Sequence, residues 1–220
     1  MKKKLAVLGG TGQEGGALAR RWAQAGYPIV IGSRDKARAE AKAREVLTRA
    51  PKAAVSGASL EDAARAGEIV VLSVPYAAHG VTLLAIRDAV QGKIVVDVTV
   101  PLVPPRVARV QLPAEGAAAV AAQQALGPDV KVVSAFQNVA AHLLDHDGEV
   151  PCDVLVCGDD KDARAEVVTL ARDAGLRAFH GGALANSAAA EALTSVLIFL
   201  NGRYRTTAGV RFTGLPDDAE

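Results

Sequence analysis

Aromatic side chains make up only 4% of this 220-residue chain, with a single Trp, so its core must be assembled from Ala, Val and Leu. Cysteine is nearly absent as well. Cys152 and Cys157 lie in one apolar segment, where positions an odd number apart face opposite sides of a strand, so the two cannot pair and read as reduced packing residues. Neither sign of charge dominates: 25 basic residues against 24 acidic ones leave a formal net charge of +1. No electrostatic footprint for a nucleic acid or a membrane surface is visible, and neither is expected as a partner. No apolar run reads as long enough to span a bilayer, and Met1-Lys-Lys-Lys leads into a strand instead of an apolar leader segment. A soluble, cytoplasmic protein is expected. Clustered metal ligands, a Tyr-x-x-x-Lys pair and a Ser/His/Asp arrangement with a recognisable elbow are all missing. No metal site and no catalytic acid, base or nucleophile is assigned.

Half of the residues are apolar all the same, which suits a packed α/β chain. The strongest pattern is at the start, where the apolar run Leu5 to Leu8 is followed by Gly10-Thr11-Gly12-Gln13-Glu14-Gly15 and then by an Ala/Leu stretch of helical period that stops at Gly26. This is strand, glycine turn, helix. Gly10 is expected to allow the tight turn, Gly12 to let the backbone approach a pyrophosphate, and Gly15 to let the helix pack against the strand. The helix N-terminus adds unpaired N–H groups and the positive end of its dipole.

The next strand, from Pro28, ends in Ser33-Arg34, with Lys36 and Arg38 following. In NAD-specific units an acidic residue near this point holds the ribose 2′-OH. A hydroxyl and an arginine fork instead suit a 2′-phosphate, and Arg38 lies one helical turn from Arg34, whereas Lys36 reads as a solvated helix charge. Further elements follow in α/β alternation: a strand over Ala53 to Ser56, a helix from Leu60, a strand from Glu68 ending at Val74-Pro-Tyr, and a strand from Lys93 ending at Thr99-Val-Pro-Leu-Val-Pro-Pro. A helix over Glu115 to Leu126 and a strand over Val130 to Phe136 complete the doubly wound half. Pro75 and Tyr76 fall at the switch point of such a sheet, where a dinucleotide passes. His79 reads as a solvated or capping residue, and Asp97 either as a base or, preferably, as a carboxylate satisfying backbone N–H groups.

Beyond residue 145 the rhythm changes. A strand from Cys152, a turn at Gly158-Asp159-Asp160 with an N-cap for a helix over Lys161 to Asp173, and a strand over Leu176 to Phe179 are expected. An apolar helix, buried in the domain or in a subunit interface, then precedes an edge strand over Gly209 to Gly214 and a frayed acidic tail. The fold class is therefore α/β, a Rossmann-type doubly wound parallel sheet over 1–145 with a smaller C-terminal α/β unit over 146–220.

Leu8-Gly-Gly-Thr-Gly, Ile31-Gly-Ser-Arg, Val74-Pro-Tyr, Lys131-Val-Val-Ser-Ala-Phe, Val156-Cys-Gly-Asp-Asp and Gly209-Val-Arg-Phe resemble the NADPH-dependent F420 reductases, also called F420H2:NADP oxidoreductases. The resemblance runs over nearly the whole chain. It implies hydride exchange between NADP(H) and the deazaflavin coenzyme F420, and a homodimer whose C-terminal unit contributes to the substrate cleft and the interface. It places Thr11 to Glu14 at the pyrophosphate, Ser33, Arg34 and Arg38 at the 2′-phosphate, Tyr76 along the path to the nicotinamide, and Asn138 and Ala141 beside the nicotinamide and deazaflavin. Gln137 and Ala140 depart from residues some relatives carry. Pro75, Tyr76, Val98, Val100, Pro101, Asn138 and Ala141 then supply apolar walls without a titrating group, so no steep pH dependence assignable to a protein acid is expected between about pH 6 and 8. The rival readings are an NADP-dependent imine, keto or ferric reductase and a non-catalytic NADP(H)-binding sensor, because one fold serves many acceptors.

Overall fold

The computed structural model describes residues 1–216. Among these residues, Leu5–Leu8 (β1), Ile29–Ser33 (β2), Val55–Ser59 (β3), Ile69–Leu72 (β4), Ile94–Asp97 (β5), Lys131–Ser134 (β6), Asp153–Gly158 (β7) and Arg177–Gly182 (β8) form one sheet in the order β3-β2-β1-β4-β5-β6-β7-β8. All neighbours are parallel except β6 and β7. The chain therefore reverses direction from β1 outward at the β1/β4 seam, which is the switch point of a doubly wound sheet. β1 and β4 are buried along their whole length, as strands covered on both faces must be.

Helices Gln13–Gln24 (α1), Lys36–Arg49 (α2), Leu60–Ala66 (α3), Tyr76–Ile86 (α4), Ala118–Leu126 (α5), Ala141–Leu144 (α6), Lys161–Asp173 (α7) and Ser187–Tyr204 (α8) cover the sheet. Their ends follow local chemistry. Asp35 caps α2 by accepting from the N–H groups of Ala37 and Arg38, Ser59 caps α3 through Asp62, and Asp160 caps α7 through Ala163, as the Gly158-Asp159-Asp160 turn implied. α1 ends before Gly26, whose φ is +88°. α5 begins at Ala118 and not at Glu115, because Gly116 takes a φ of +88° just before it.

Several expectations are corrected. β3 covers Val55–Ser59, not Ala53 to Ser56. The strand continues through Gly57 because α2 lies directly on it: a Cβ there would come within 2.3 Å of the Glu40 nitrogen. The left-handed turn residue after β1 is Gly9, at φ +81°, one position before Gly10. Gly10 instead lets β2 approach, since a Cβ on it would meet the Val7 carbonyl at 2.9 Å and Ile31 at 3.0 Å. No strand forms over residues 209–214. That segment lies beside β7, with the Val210 carbonyl accepting from the Asp153 N–H at 2.7 Å and the Phe212 N–H donating to the Asp153 carboxylate at 2.7 Å. The acidic tail lies outside the described residues. α8 is buried on one side only, with Val196, Phe199 and Tyr204 exposed. Leu184–Tyr204 is, by length and composition alone, apolar enough to cross a membrane, contrary to the reading that no run was; within the fold this stretch turns Ser187, Glu191 and Ser195 inward.

The C-terminal unit does not build a sheet of its own: β7 and β8 extend the first one across β6. Two buried arginines tie the connection together. Arg21 on α1 donates to the carbonyls of Leu144 and Ala174, both at 2.7 Å, and Arg20 donates to the Leu144 carbonyl at 2.8 Å while pairing with Asp147. Sequence periodicity gave no hint of this role, because a helical Arg reads by default as a solvated charge.

Candidate functional site

A cleft runs over the carboxyl ends of the central strands, in two halves that share Gly12, Ser73, Val74 and Pro75. The first half, about 550 Å³, is lined by Thr11, Ser33, Arg34, Asp35 and Arg38. Ser33 is buried and accepts the Asp35 N–H at 3.2 Å, and Arg34 and Arg38 are exposed side chains with no ion pair among the described residues. Lys36 instead pairs loosely with Glu40 at 3.9 Å along the helix. Asp35, which sequence reasoning passed over, also lines this half. Its carboxylate is committed to capping α2, at 2.9 Å from the Ala37 nitrogen.

The second half, about 400 Å³, is lined by Gln13, Glu14, Tyr76, Val98, Thr99, Val100, Leu102, Gln137, Val139 and Thr194. Gly12 is the N-cap of α1 and is exposed, so the first N–H groups of the helix face the junction of the two halves. Of the sequence-named residues, Thr11, Gly12, Gln13, Glu14, Ser33, Arg34, Arg38, Pro75, Tyr76, Val98 and Val100 are thus brought to one cleft. Gly10 and Gly15 are buried beneath it. Gly15 sits where a Cβ would lie 3.0 Å from the Gly9 carbonyl. Asn138 lines a small adjoining cavity of about 80 Å³ that shares Gln137, Val139 and Thr194 with the second half, and Ala141 opens α6 and lines neither half. The chain turns away from the cleft between Val139 and Ala141, which sequence position alone does not reveal.

Glu14, expected at the pyrophosphate, brings a titrating group to the second half. Desolvation by the surrounding wall pushes the Glu14 carboxyl up to about 8. Beneath the same half, His79 is buried, not solvated, and its Nε2 lies 2.7 Å from Asp97 Oδ2. Tyr76 stacks on that ring at 6.2 Å between centroids. Asp97 Oδ1 accepts the Thr99 N–H at 3.0 Å, so the preferred reading of Asp97 as a backbone-satisfying carboxylate describes one of its oxygens and His79 occupies the other. Glu191, also unanticipated, accepts the N–H groups of Ala118 and Ala119 at the start of α5, at 2.7 and 3.1 Å. Burial outweighs these two bonds and pushes its carboxyl up to about 7. Its contact partner lies 73 residues away in sequence, beyond the reach of any local signal.

Two buried polar atoms at the second half have no partner among the described residues, Thr99 Oγ1 and Gln137 Oε1. Orphans of this kind cost stability unless a ligand completes them. Together with the open space at Gly12 and the free arginine pair, they fit a phosphate-bearing dinucleotide with a polar head group.

A doubly wound sheet with a glycine turn at its switch point and a cleft crossing it is the architecture of the Rossmann-type dinucleotide-binding proteins. The family model for NADP oxidoreductases, coenzyme F420-dependent, matches residues 4–101. The F420-dependent NADP reductase of Methanocaldococcus jannaschii is 42% identical over 96% of this chain and 99% of its own length, and that of Methanothermobacter thermautotrophicus 41% identical over 99% and 97%. A solved structure of a hypothetical protein from Sinorhizobium meliloti superposes with a TM-score of 0.70 at 26% identity, covering 86% of this chain and 88% of that one. The chain belongs to the F420-dependent NADP reductase family.

Proposed function

We propose that this protein is an NADP-dependent F420 reductase, exchanging hydride between NADP(H) and coenzyme F420. The observation that carries the reading is the single cleft with two chemically different ends, a cationic one at Ser33, Arg34 and Arg38 and an apolar one at Val98, Val100 and Val139. When bound, the nicotinamide and the deazaflavin supply the redox chemistry between them. The chain's own part is to hold the two rings about 3–3.5 Å apart and to exclude water, for which apolar walls suffice. The helix α1 N-terminus, from Thr11 to Glu14, receives the pyrophosphate. Mixing the protein with NADPH and oxidised deazaflavin tests the activity: the visible absorbance of the deazaflavin is expected to fall, and turnover of pyrroline-5-carboxylate or a 2-keto acid without deazaflavin reduction would overturn the assignment.

Arg34 and Arg38 set the cofactor choice in this reading. A charge-assisted hydrogen bond is worth about 1.5–3 kcal/mol, so Arg34→Ala should weaken NADPH binding roughly 10- to 100-fold and leave NADH nearly unchanged. Equal affinity of wild type for the two nucleotides, by calorimetry, would contradict it.

Glu14 adds a pH dependence. Its raised pKa keeps the carboxyl neutral below about 8, where it tolerates a neighbouring polyanion; above that value the carboxylate repels it. NADPH affinity is expected to fall as pH rises through this range, and Glu14→Gln to flatten the curve. A wild-type curve already flat from pH 7 to about 9 would remove Glu14 from the phosphate wall.

The C-terminal unit lends Thr194 to the cleft, which supports a role for that unit in substrate binding. A cytoplasmic homodimer is the arrangement we favour, with the exposed Val196 and Phe199 of α8 meeting a second copy. Light scattering should give twice the chain mass, and Phe199→Asp should lower it toward the monomer. A monomeric wild type at micromolar concentration would defeat this assembly.

A further inference from the structure

α5 opens without a cap of its own. Its N-cap is Ala117, whose side chain has no acceptor, so the first N–H groups of the helix have to find one elsewhere. They find it on α8. Glu191 Oε2 accepts the Ala118 N–H at 2.7 Å and Oε1 accepts the Ala119 N–H at 3.1 Å, so each carboxylate oxygen serves one donor at the positive end of the α5 dipole. Glu191 is 1% exposed, which leaves water a poor substitute for either bond.

This contact spans the wall of the cleft. Residues 98–117, between β5 and α5, form neither helix nor strand, and Val98, Thr99, Val100 and Leu102 among them line the second half. A buried carboxylate ties the segment at each end: Asp97 Oδ1 takes the Thr99 N–H at its start, and Glu191 takes the Ala118 and Ala119 N–H groups just past its finish. Three residues beyond Glu191 on α8, Thr194 donates to the Gln137 carbonyl at 2.8 Å, and both of these residues line the same half. Glu191 therefore joins the irregular wall to the helix that carries Thr194.

We infer that Glu191, while ionised, is a positioning residue that braces the 98–117 wall and α8 against each other at the acceptor end of the cleft, and that proton uptake by Glu191 loosens that end. The effect on the acceptor rests on the proposed F420 reductase reading. A carboxylate offers an acceptor to each N–H, whereas the neutral acid has one carbonyl oxygen and a hydroxyl that is a poor partner for a second donor. The change falls near neutral pH. Burial pushes the carboxyl up to about 7 against the two hydrogen bonds, Asp97 adds to the rise and His79 opposes it, and Tyr76 and Cys157 are the other titrating groups within its electrostatic reach. Because this folded-state pKa is raised, the contribution of Glu191 to global stability is lost as pH rises through about 7, so general unfolding cannot account for a wall that loosens on the acid side.

Glu191→Gln imitates the neutral acid at every pH, since its amide also offers a single acceptor. With NADPH saturating, the KM of this variant for the deazaflavin should exceed that of wild type about fivefold or more at about pH 8 and match it within about twofold at about pH 6. The ratio at each pH cancels the titration of the substrate and of Glu14. NADPH affinity, by calorimetry, should differ less than about twofold between the two proteins, because the cations that hold its 2′-phosphate line the other half. A second measurement needs neither variant nor substrate. Amide hydrogen exchange of wild type, corrected for intrinsic rates, should show Ala118 and Ala119 protected at least about tenfold more at about pH 8 than at about pH 6. A KM ratio that stays the same at both pH values, or protection that does not change, would reduce Glu191 to a structural cap and overturn the proposal. Absence of deazaflavin turnover by wild type, with protection still responding to pH, would instead bring down the functional reading, and the acceptor role of Glu191 with it.

Discussion

Gly12→Val is expected to fold with a melting temperature within a few degrees of wild type and to bind NADPH more than about 100-fold less tightly. The reason lies in what surrounds Gly12. Its backbone is extended, at φ −78° and ψ 173°, which any residue adopts, and it makes no side-chain cap bond that a substitution could remove. An added Cβ would meet one atom within 4 Å, the Gly9 carbonyl at 3.3 Å. That contact is tighter than side chains usually make, so the Gly9 carbonyl must give by a few tenths of an ångström, a local cost that still keeps the expected loss to a few degrees. Gly12 lines both halves of the cleft, so the valine methyls would crowd the first N–H groups of α1, where the proposed function puts the pyrophosphate. Thermal denaturation beside calorimetric titration with NADPH separates the two effects. Wild-type affinity in a folded variant would mean that the phosphates bind elsewhere.

Gly9→Ala, three positions earlier in the same loop, should have the opposite outcome. Gly9 holds φ +81°, and a Cβ there would stand 2.0 Å from the Ser73 carbonyl oxygen and 2.7 Å from its carbon. The left-handed conformation alone costs an alanine about 1–2 kcal/mol. Relieving the overlap requires β1 and β4 to separate at the switch point, and both are fully buried strands without slack. The sum is expected to reach about 4 kcal/mol or more, a large share of the 5–15 kcal/mol that ordinarily holds a domain together. Urea denaturation measures it. A loss below about 1 kcal/mol would show that the loop relaxes without disturbing the strands, and would remove Gly9 as the turn's fixed point.

The contrast between these two glycines marks where sequence reasoning stops. A glycine motif after an apolar run announces a turn into a helix, and Ser33-Arg34 announces a cationic wall, because these signals depend on residues a few positions apart. Which glycine carries the positive φ depends on where the Ser73 carbonyl lies, and Ser73 is distant in sequence. The same limit explains the misread third strand, where α2 presses on Gly57, and the missing last strand, where the Asp153 carboxylate captures the Phe212 N–H.

Alternation of apolar runs with helical periods was enough for the α/β class, for the succession of the eight strands along the chain and for the cationic wall at Ser33 and Arg34, since each follows from local propensity, burial period or charge. Tertiary structure alone decided the rest. It joined β7 to β6 in one sheet, buried Arg20 and Arg21 against the carbonyls of the connection, and set His79 on Asp97 and Glu191 on α5. It also set Asn138 in a small cavity beside the second half of the cleft and put Gln137 into the cleft wall. Each of these outcomes is a pairing between distant segments. A polar group in a sequence shows what it can donate or accept, and only the folded chain shows which partner burial leaves within its reach.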